Sequence, residues 1–163
     1  GSADSTYILS AATKLFKDGH DVVRLHLRDH GPSHHLNADL FHAARIDEVV
    51  IAVQSINTIL PRKKTYLAGF SLGGNFALRV ATQVKANGLK LDKVIAICPV
   101  INPHKTMAAL EGGSPVYRTY FMRKWRKSLR LKQKSFPEKV DLKVVKQAEN
   151  LLTLTHKIKN QFN

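Results

Sequence analysis

A glycine-rich corner between an apolar run and a helical run constrains this chain more than any other feature. Residues 69–74 read GFSLGG, follow the apolar residues 65–68, and precede a segment of helical periodicity that Gly88 ends. The pattern G-x-S-x-G is typical of a sharp strand-to-helix turn whose serine takes a strained backbone conformation. Strand and helix then pass so closely that side chains two positions either side of the serine would collide. We therefore predict that Ser71 projects from such a corner.

Further apolar and helical segments alternate around this corner. Strands are predicted over residues 21–27, 65–68 and 93–98, and helices over residues 5–17, 38–60 and 74–87. Ser2 or Asp4 is expected to cap the first helix, Gly19 to end it, and Asp39 to help start the second. The order α–β–α–β–α–β predicts an α/β fold with a doubly wound, mainly parallel sheet. The third strand is a continuous apolar run of the kind that such sheets bury on both faces.

The chain changes character after the third predicted strand. A loop marked by Pro103, Gly112, Gly113 and Pro115 precedes two helical patterns, over residues 116–132 and 142–159. We therefore predict two domains, an α/β core over residues 1–104 that holds the corner and a basic helical cap or lid over residues 105–163. Cys98 is the only cysteine and is expected to be buried. Because it cannot form an internal disulfide, a reducing, cytoplasmic setting is favoured.

The positive charge is concentrated in the predicted cap. Of the formal net charge of +14, residues 1–104 carry 12 Lys/Arg against 8 Asp/Glu, and residues 105–163 carry 14 against 4. Within 117–134, an apolar stripe at helical spacing comprises Tyr117, Phe121, Trp125 and Leu129. The rest of the helix surface is crowded by the basic residues Arg123, Lys124, Arg126, Lys127, Arg130, Lys132 and Lys134. One interpretation is an amphipathic helix that docks on an anionic membrane surface. The other is a cap helix that packs its aromatics over the site and exposes its charges to water. Nucleic acid ranks lower as a partner, because no nucleic-acid-binding fold is recognised.

The corner also predicts nucleophilic chemistry. A helix that starts after Ser71 directs unpaired N–H groups and a partial positive charge toward the serine hydroxyl. The N–H of Leu72 can donate to an oxyanion that develops on an attacked carbonyl. We therefore predict that Ser71 is a nucleophile, that Leu72 supplies an oxyanion N–H, and that Gly69 and Gly73 permit the turn. The alternative is a simple glycine turn.

Histidines cluster in the loop after the first predicted strand. His30, His34 and His35 lie there, with His26 and His42 nearby. A metal site is one interpretation, since imidazole is a common ligand. No Cys or carboxylate arrangement completes a recognised signature, so we favour site-rim and helix-capping roles. We place His30 at the site rim and expect no metal and no cofactor.

Four segments of the predicted core resemble those of a known family. They are residues 1–8 (GSADSTYI), 27–37 (LRDHGPSHHLN), 40–53 (LFHAARIDEVVIAV) and 69–81 (GFSLGGNFALRVA). They resemble the α/β-hydrolase family, and more narrowly the bacterial YheT-like esterase group. The resemblance implies a serine hydrolase that cleaves small-molecule carboxylic esters without a cofactor. It also implies a helical cap after the third strand.

The family places an acid and then a histidine after the nucleophile. The residues of these types after Ser71 are Asp92, Glu111, Glu138, Asp141, Glu149, His104 and His156. Only His104 follows the third predicted strand closely enough to approach the site, and it is our second rim candidate. The resemblance therefore implies a piece of a longer hydrolase that keeps its nucleophile without a recognisable acid and base. The alternative is a non-catalytic chain on this scaffold that binds a membrane or a protein partner through its basic cap.

Overall fold

The structure is a computed structural model that describes residues 2–61, 64–141, 143, 145, 147–148 and 150–159. Contacts between Cα atoms divide the chain into two units. The first unit comprises residues 1–41 and 104–163, and the second comprises residues 42–103. One boundary between the units falls between residues 103 and 104, one residue before the domain boundary predicted from the sequence. The first 41 residues, however, group with the C-terminal helices.

The described residues form mainly helices, with one small sheet. The helices are α1 (Thr6–Lys17), α2 (Ile46–Ile59), α3 (Leu72–Gln83), α4 (Pro103–Gly112), α5 (Pro115–Ser135) and α6 (Leu151–Lys159), and the strands are β1 (Tyr66–Phe70) and β2 (Lys93–Ile97). A 3-10 turn covers Ser33–His35. None of the described helices has both the length and the apolar composition that crossing a bilayer requires.

The second unit is built around a parallel β–α–β arrangement. Tyr66 lies opposite Lys93 and Phe70 opposite Ile97 in the ladder between β1 and β2. The helix α3 connects the strands, packs on both of them, and contacts α2. Phe76 and Val80 on α3 are almost fully buried. Because the strands run parallel, their carboxyl ends meet at one edge of the sheet, and α3 begins at this edge.

The other face of this sheet is exposed. Tyr66, Ile95 and Ile97 share that face, and Tyr66 and Ile95 remain 47% and 49% exposed. The prediction that the last strand is buried on both faces is therefore wrong for the described residues. The continuous apolar run is typical of a parallel strand that is covered on both faces. Here α3 packs on both strands and covers only one face.

The prediction of a strand over residues 21–27 is also wrong. This segment has no ladder partner in the described structure, and Val23 and Leu25 are exposed, so the apolar alternation buries neither. Side chains hold it instead. Arg24 Nη1 donates to the Ala3 carbonyl oxygen at 2.7 Å, and His26 Nδ1 accepts from the Ala3 N–H at 3.4 Å. A strand needs a neighbour that exchanges backbone hydrogen bonds with it, and β1 and β2 pair with each other.

The ends of α1 and α2 show which predicted helix boundaries agree with the structure. Gly19 follows the C-cap of α1 with a φ of +87°, which confirms its predicted position there. The N-cap of α1 is Ser5 rather than Ser2 or Asp4. The helix α2 begins at residue 46 instead of 38, and its first turn holds Asp47 and Glu48, whose charges favour a helix N-terminus.

The stretch expected to be a loop after Pro103 contains the helix α4. Pro103 is its first residue, a position that tolerates proline because the missing N–H would have no intrahelical partner. Only residues 113–114 separate α4 from α5. Ser114 caps α5, and its hydroxyl accepts from the Val116 N–H at 3.4 Å.

The core of the first unit lies between α5 and the segments that follow it. Met122 and Leu129 on α5 pack with Val140, Leu151 and Leu154, and Phe121 and Trp125 pack against this cluster. From residue 121 onward, the apolar stripe of α5 thus packs against the core of its own unit. Tyr117, at the start of the stripe, stays 64% exposed.

Lys132 on α5 was expected among the solvated basic residues, and this prediction is wrong. Its side chain is fully buried, and its Nζ lies 2.6 Å from Asp29 Oδ1, an atom of a side chain that is 4% exposed. Nζ also donates to the carbonyl oxygens of Asn37 (2.5 Å) and Asp39 (3.2 Å). Asp29 Oδ2 accepts from the Phe41 N–H at 2.8 Å. This buried pair ties the loop over residues 29–41 to α5.

Candidate active site

Ser71 occupies the turn between β1 and α3 with φ = 51° and ψ = −119°. Positive φ is uncommon for residues other than glycine, and holding such a backbone costs about 1–3 kcal/mol. The Ser71 N–H donates to the Ile97 carbonyl at 2.9 Å, and the Ser71 carbonyl accepts from the N–H groups of Asn75 (3.1 Å) and Val100 (3.2 Å). Three backbone hydrogen bonds therefore hold the strained conformation that the glycine spacing predicts.

The Ser71 side chain is exposed and does not cap the helix that it precedes. No side chain in the described part of residues 42–103 hydrogen-bonds to its hydroxyl. Leu72 is the first residue of α3, so its N–H is one of the amides that have no acceptor within the helix. The hydroxyl and an unpaired amide thus belong to consecutive residues at the positive end of a helix.

The close approach of strand and helix explains two of the three glycines. A Cβ atom at Gly69 would fall on the Gly73 carbonyl group and 2.7 Å from the Gly74 nitrogen. A Cβ atom at Gly74 would lie 3.0 Å from the Gly69 carbonyl oxygen and 3.1 Å from Pro99 Cβ. A Cβ atom at Gly73 would meet nothing within 4 Å. The steric argument made for Gly73 therefore applies to Gly74.

We expect Gly69→Ala to lower the free energy of unfolding by about 1–3 kcal/mol or more, because the added methyl group meets backbone that cannot move aside. Gly73→Ala is the matched control. It places the same methyl group in open space within a helix, where alanine is favoured over glycine by up to about 1 kcal/mol. Urea denaturation measures both. Equal losses in the two variants would contradict the close packing at Gly69.

Cys98 also lies at the carboxyl edge of the sheet. It follows β2 directly, is exposed, and has a φ of 46°. The expectation that it is buried is wrong: the strand ends one residue earlier, at Ile97, and Ile97 is itself exposed. Beyond it, the Asn75 side-chain amide donates to the Val100 carbonyl at 2.8 Å, which joins the first turn of α3 to this segment.

Three of the carboxylates after Ser71 have structural partners, and one of them is Asp141, whose Oδ1 accepts from the Lys143 N–H at 2.7 Å. Asp92 lies at the opposite edge of the sheet, where Oδ2 accepts from the Thr65 N–H at 2.7 Å. Glu111 Oε1 accepts from the Leu152 N–H at 3.1 Å. Glu149 lies outside the described residues. His104 is exposed in the first turn of α4.

The histidines of the first unit have partners of their own. His30 Nδ1–H donates to the Arg28 carbonyl at 2.7 Å, and its ring meets the Phe41 ring edge-on, with centroids 4.9 Å apart. His34 Nε2 shares a hydrogen bond with Ser128 Oγ at 2.8 Å. Burial lowers the pKa of both histidines below the usual 6.5, so the neutral rings prevail at neutral pH. Among the described residues, no group of three or more His, Cys, Asp or Glu side chains could hold a metal ion.

An open depression of about 470 Å³ lies at the end of the second unit away from Ser71. Its lining comes from the end of α2 and the segment before β2, and comprises Gln54, Asn57, Thr58, Pro61, Asn87, Gly88 and Lys90. This is the amino edge of the sheet. Parallel α/β sheets place their sites at the carboxyl edge, so we do not connect this depression with the chemistry of Ser71.

The chain matches the model of a known protein family over most of its length. Residues 1–140 match the model of a family described as alpha/beta hydrolase fold. No curated protein and no solved structure gives a significant match. The matched range includes the Ser71 corner, both strands and all of α5. The match supports membership of the family as a whole. It does not test the resemblance to the narrower esterase group, which stays a prediction.

Proposed function

Because the chain belongs to the α/β-hydrolase family, we propose that it is a serine hydrolase that cleaves carboxylic esters with Ser71 as its nucleophile. The backbone of Ser71 is the observation that carries the proposal. The family match supports hydrolytic chemistry in general. The nucleophile is inferred from the corner itself, and the ester substrate is what the resemblance of the sequence to the YheT-like esterase group implies.

The chain contains its own comparison for Ser71. Ser5 and Ser114 are also N-cap residues, and both have the negative φ and extended ψ that are usual at this position (−63° and 140° for Ser5, −56° and 129° for Ser114). Ser114 uses its hydroxyl to cap the helix. Ser71 has the strained backbone and leaves its hydroxyl uncommitted to the cap. A serine that only began a helix would not need this conformation.

In the proposed reaction, Ser71 Oγ attacks the ester carbonyl carbon while its proton passes to a general base. The electron pair of the C=O bond moves to oxygen, where the Leu72 N–H donates to the oxyanion. Collapse of this intermediate breaks the bond to the alkoxy group, which leaves with a proton as the alcohol. Water then attacks the acyl-serine ester and releases the acid.

A serine needs a general base to react at neutral pH, and no described side chain of residues 42–103 hydrogen-bonds to the Ser71 hydroxyl. His30 and His104, the rim candidates from the sequence, belong to the first unit and stay predictions.

We expect the protein expressed from its complete reading frame to hydrolyse p-nitrophenyl esters with an initial burst of nitrophenol, equal at most to the enzyme concentration. The burst reflects accumulation of the acyl-enzyme. p-Nitrophenyl phosphate is the matched control, since it has the same leaving group without an acyl carbonyl, and should not be cleaved. Cleavage of the phosphate alone would contradict the proposal. If neither compound is cleaved and a fluorophosphonate does not label the protein, the alternative of a non-catalytic chain is favoured.

A further inference from the structure

The solvent side of α5 carries a strip of positive charge. Six basic residues of this helix are exposed. Arg118 lies on another side of the helix, and we call the other five the basic face: Arg123, Lys124, Lys127, Arg130 and Lys134. At 3.6 residues per turn they fall within an arc of about 120°. Met122, Leu129 and Lys132 are buried on the opposite side of the helix. The basic face is therefore the part of α5 that its own unit leaves uncovered.

The charges of the basic face are not neutralised within the described part of the chain. The helix α5 has no Asp or Glu, and no basic-face residue forms an ion pair with a described carboxylate. Arg126 and Lys132 are the two basic residues of α5 that are not exposed. Arg126 donates to the Ala148 carbonyl at 2.7 Å, and Lys132 is paired with Asp29. The fold thus uses Arg126 and Lys132 and leaves the five residues of the basic face to the surroundings.

Exposed apolar side chains lie on the same side of α5. Val116, Tyr117, Tyr120 and Leu131 are 75%, 64%, 52% and 39% exposed. With the basic face they share an arc of about 140°. Lys124 Nζ lies over the Tyr120 ring, 5.5 Å from its centroid. Tyrosine and lysine side chains are suited to the boundary between water and acyl chains, because each has an apolar body and a polar tip.

We propose that α5 docks lengthwise on an anionic phospholipid membrane through its basic face, with Val116, Tyr117 and Tyr120 entering the headgroup region. Helices that lie in a membrane interface combine basic side chains with exposed apolar ones in this way. A flat surface requires only one free side of the helix, and α5 has one. Each lysine or arginine near such a surface contributes about 1 kcal/mol, which is roughly a fivefold change in partitioning.

Nucleic acid would satisfy the same charges but not the apolar ones. A phosphate backbone gives the aliphatic side chain of Val116, exposed at the start of the helix, no partner. Binding of single strands relies on aromatic stacking along a positively charged groove, whereas the basic face is one side of a single helix. The membrane is therefore the favoured partner, and an oligonucleotide becomes one arm of the test.

The test is sedimentation of the full-length protein with vesicles. We expect binding to phosphatidylcholine vesicles that contain about 30–40% phosphatidylserine, because this lipid makes the surface strongly negative. We expect no binding to vesicles of pure phosphatidylcholine. Binding should weaken as salt shortens the Debye length from about 10 Å at 0.1 M to about 3 Å at 1 M. Lys124→Glu with Lys127→Glu should lower partitioning by at least about thirtyfold. Lys17→Glu with Lys85→Glu, which changes the net charge equally at exposed lysines elsewhere, should lower it far less.

Three outcomes would overturn the proposal. The first is equal binding to both vesicle types, and the second is an equal loss of vesicle binding in the two charge-reversed variants. The third is vesicle binding that an oligonucleotide abolishes and that the double variant Tyr117→Ser with Tyr120→Ser leaves unchanged. Trp125 is the only tryptophan and packs against the core cluster, so its emission should not shift on binding. A large blue shift would mean that the opposite side of α5 meets the membrane. Ser71→Ala should bind like the unaltered protein, which separates this result from the proposed catalysis.

Discussion

Replacing Ser71 with alanine is expected to lower ester hydrolysis by about 10³- to 10⁶-fold and to abolish labelling by a fluorophosphonate. Alanine keeps the backbone of the corner but removes the only atom proposed to attack the carbonyl. Removing a nucleophilic serine has effects of this size, and the residual rate comes from substrate binding and oxyanion donors that remain. Initial rates with a p-nitrophenyl ester and gel-based probe labelling measure the two effects.

The matched control for this loss is Ser55→Ala. Ser55 is exposed on α2, and its hydroxyl donates only to the Ile51 carbonyl, at 2.9 Å. This variant should keep both turnover and labelling. A Ser71→Ala variant that still labels would place the nucleophile elsewhere. Urea denaturation of Ser71→Ala should give an unfolding free energy close to that of the unaltered protein, so that the lost activity is not lost folding.

Replacing Lys132 with methionine is expected to lower the free energy of unfolding by about 3–5 kcal/mol. Methionine fills similar space, but it leaves the Asp29 carboxylate buried without its cation and removes two donors from the carbonyls of Asn37 and Asp39. Breaking a buried pair from one side costs this much because an uncompensated charge remains. Urea denaturation followed by circular dichroism measures the change.

Lys134→Met is the matched control, since it removes a lysine two residues away that is exposed. Surface changes of this kind usually stay within about 0.5 kcal/mol. Combining Lys132→Met with Asp29→Asn should recover much of the loss, because both charges are then gone and asparagine tolerates the Asp29 φ of 57°. Similar losses for Lys132→Met and Lys134→Met would contradict a buried pair.

What the sequence predicted well depends on short-range geometry. Gly19 ends α1 because a left-handed residue closes a helix, and three or four neighbouring residues are enough to show it. The Ser71 corner is of the same kind. Its strand, glycines and helix are contiguous, so the strained φ follows from the spacing alone. The steric need was assigned to Gly73 instead of Gly74, and part of the packing at Gly74 comes from Pro99, which is 25 residues away in the sequence.

What the sequence predicted poorly depends on distant partners. Residues 21–27 have the composition of a strand, but composition cannot supply the neighbouring strand that a ladder requires. Lys132 looked like the other lysines of a basic helix, since nothing near it in sequence shows that Asp29 lies 2.6 Å away. The general base could not be predicted from the sequence for the same reason. A histidine acts as the base of a serine when the fold brings the two side chains into contact, and its position in the chain does not show this.

The open face of the small sheet has a consequence for how the protein behaves in solution. Tyr66, Ile95 and Ile97 form an apolar surface on a pair of strands whose outer edges have no described neighbour, and such surfaces favour self-association. The formal net charge of +14 opposes this, because like-charged molecules repel one another. Colloidal stability therefore rests on charge more than on the shape of the surface. It is greatest in dilute buffer and declines when counterions or polyanions screen the repulsion.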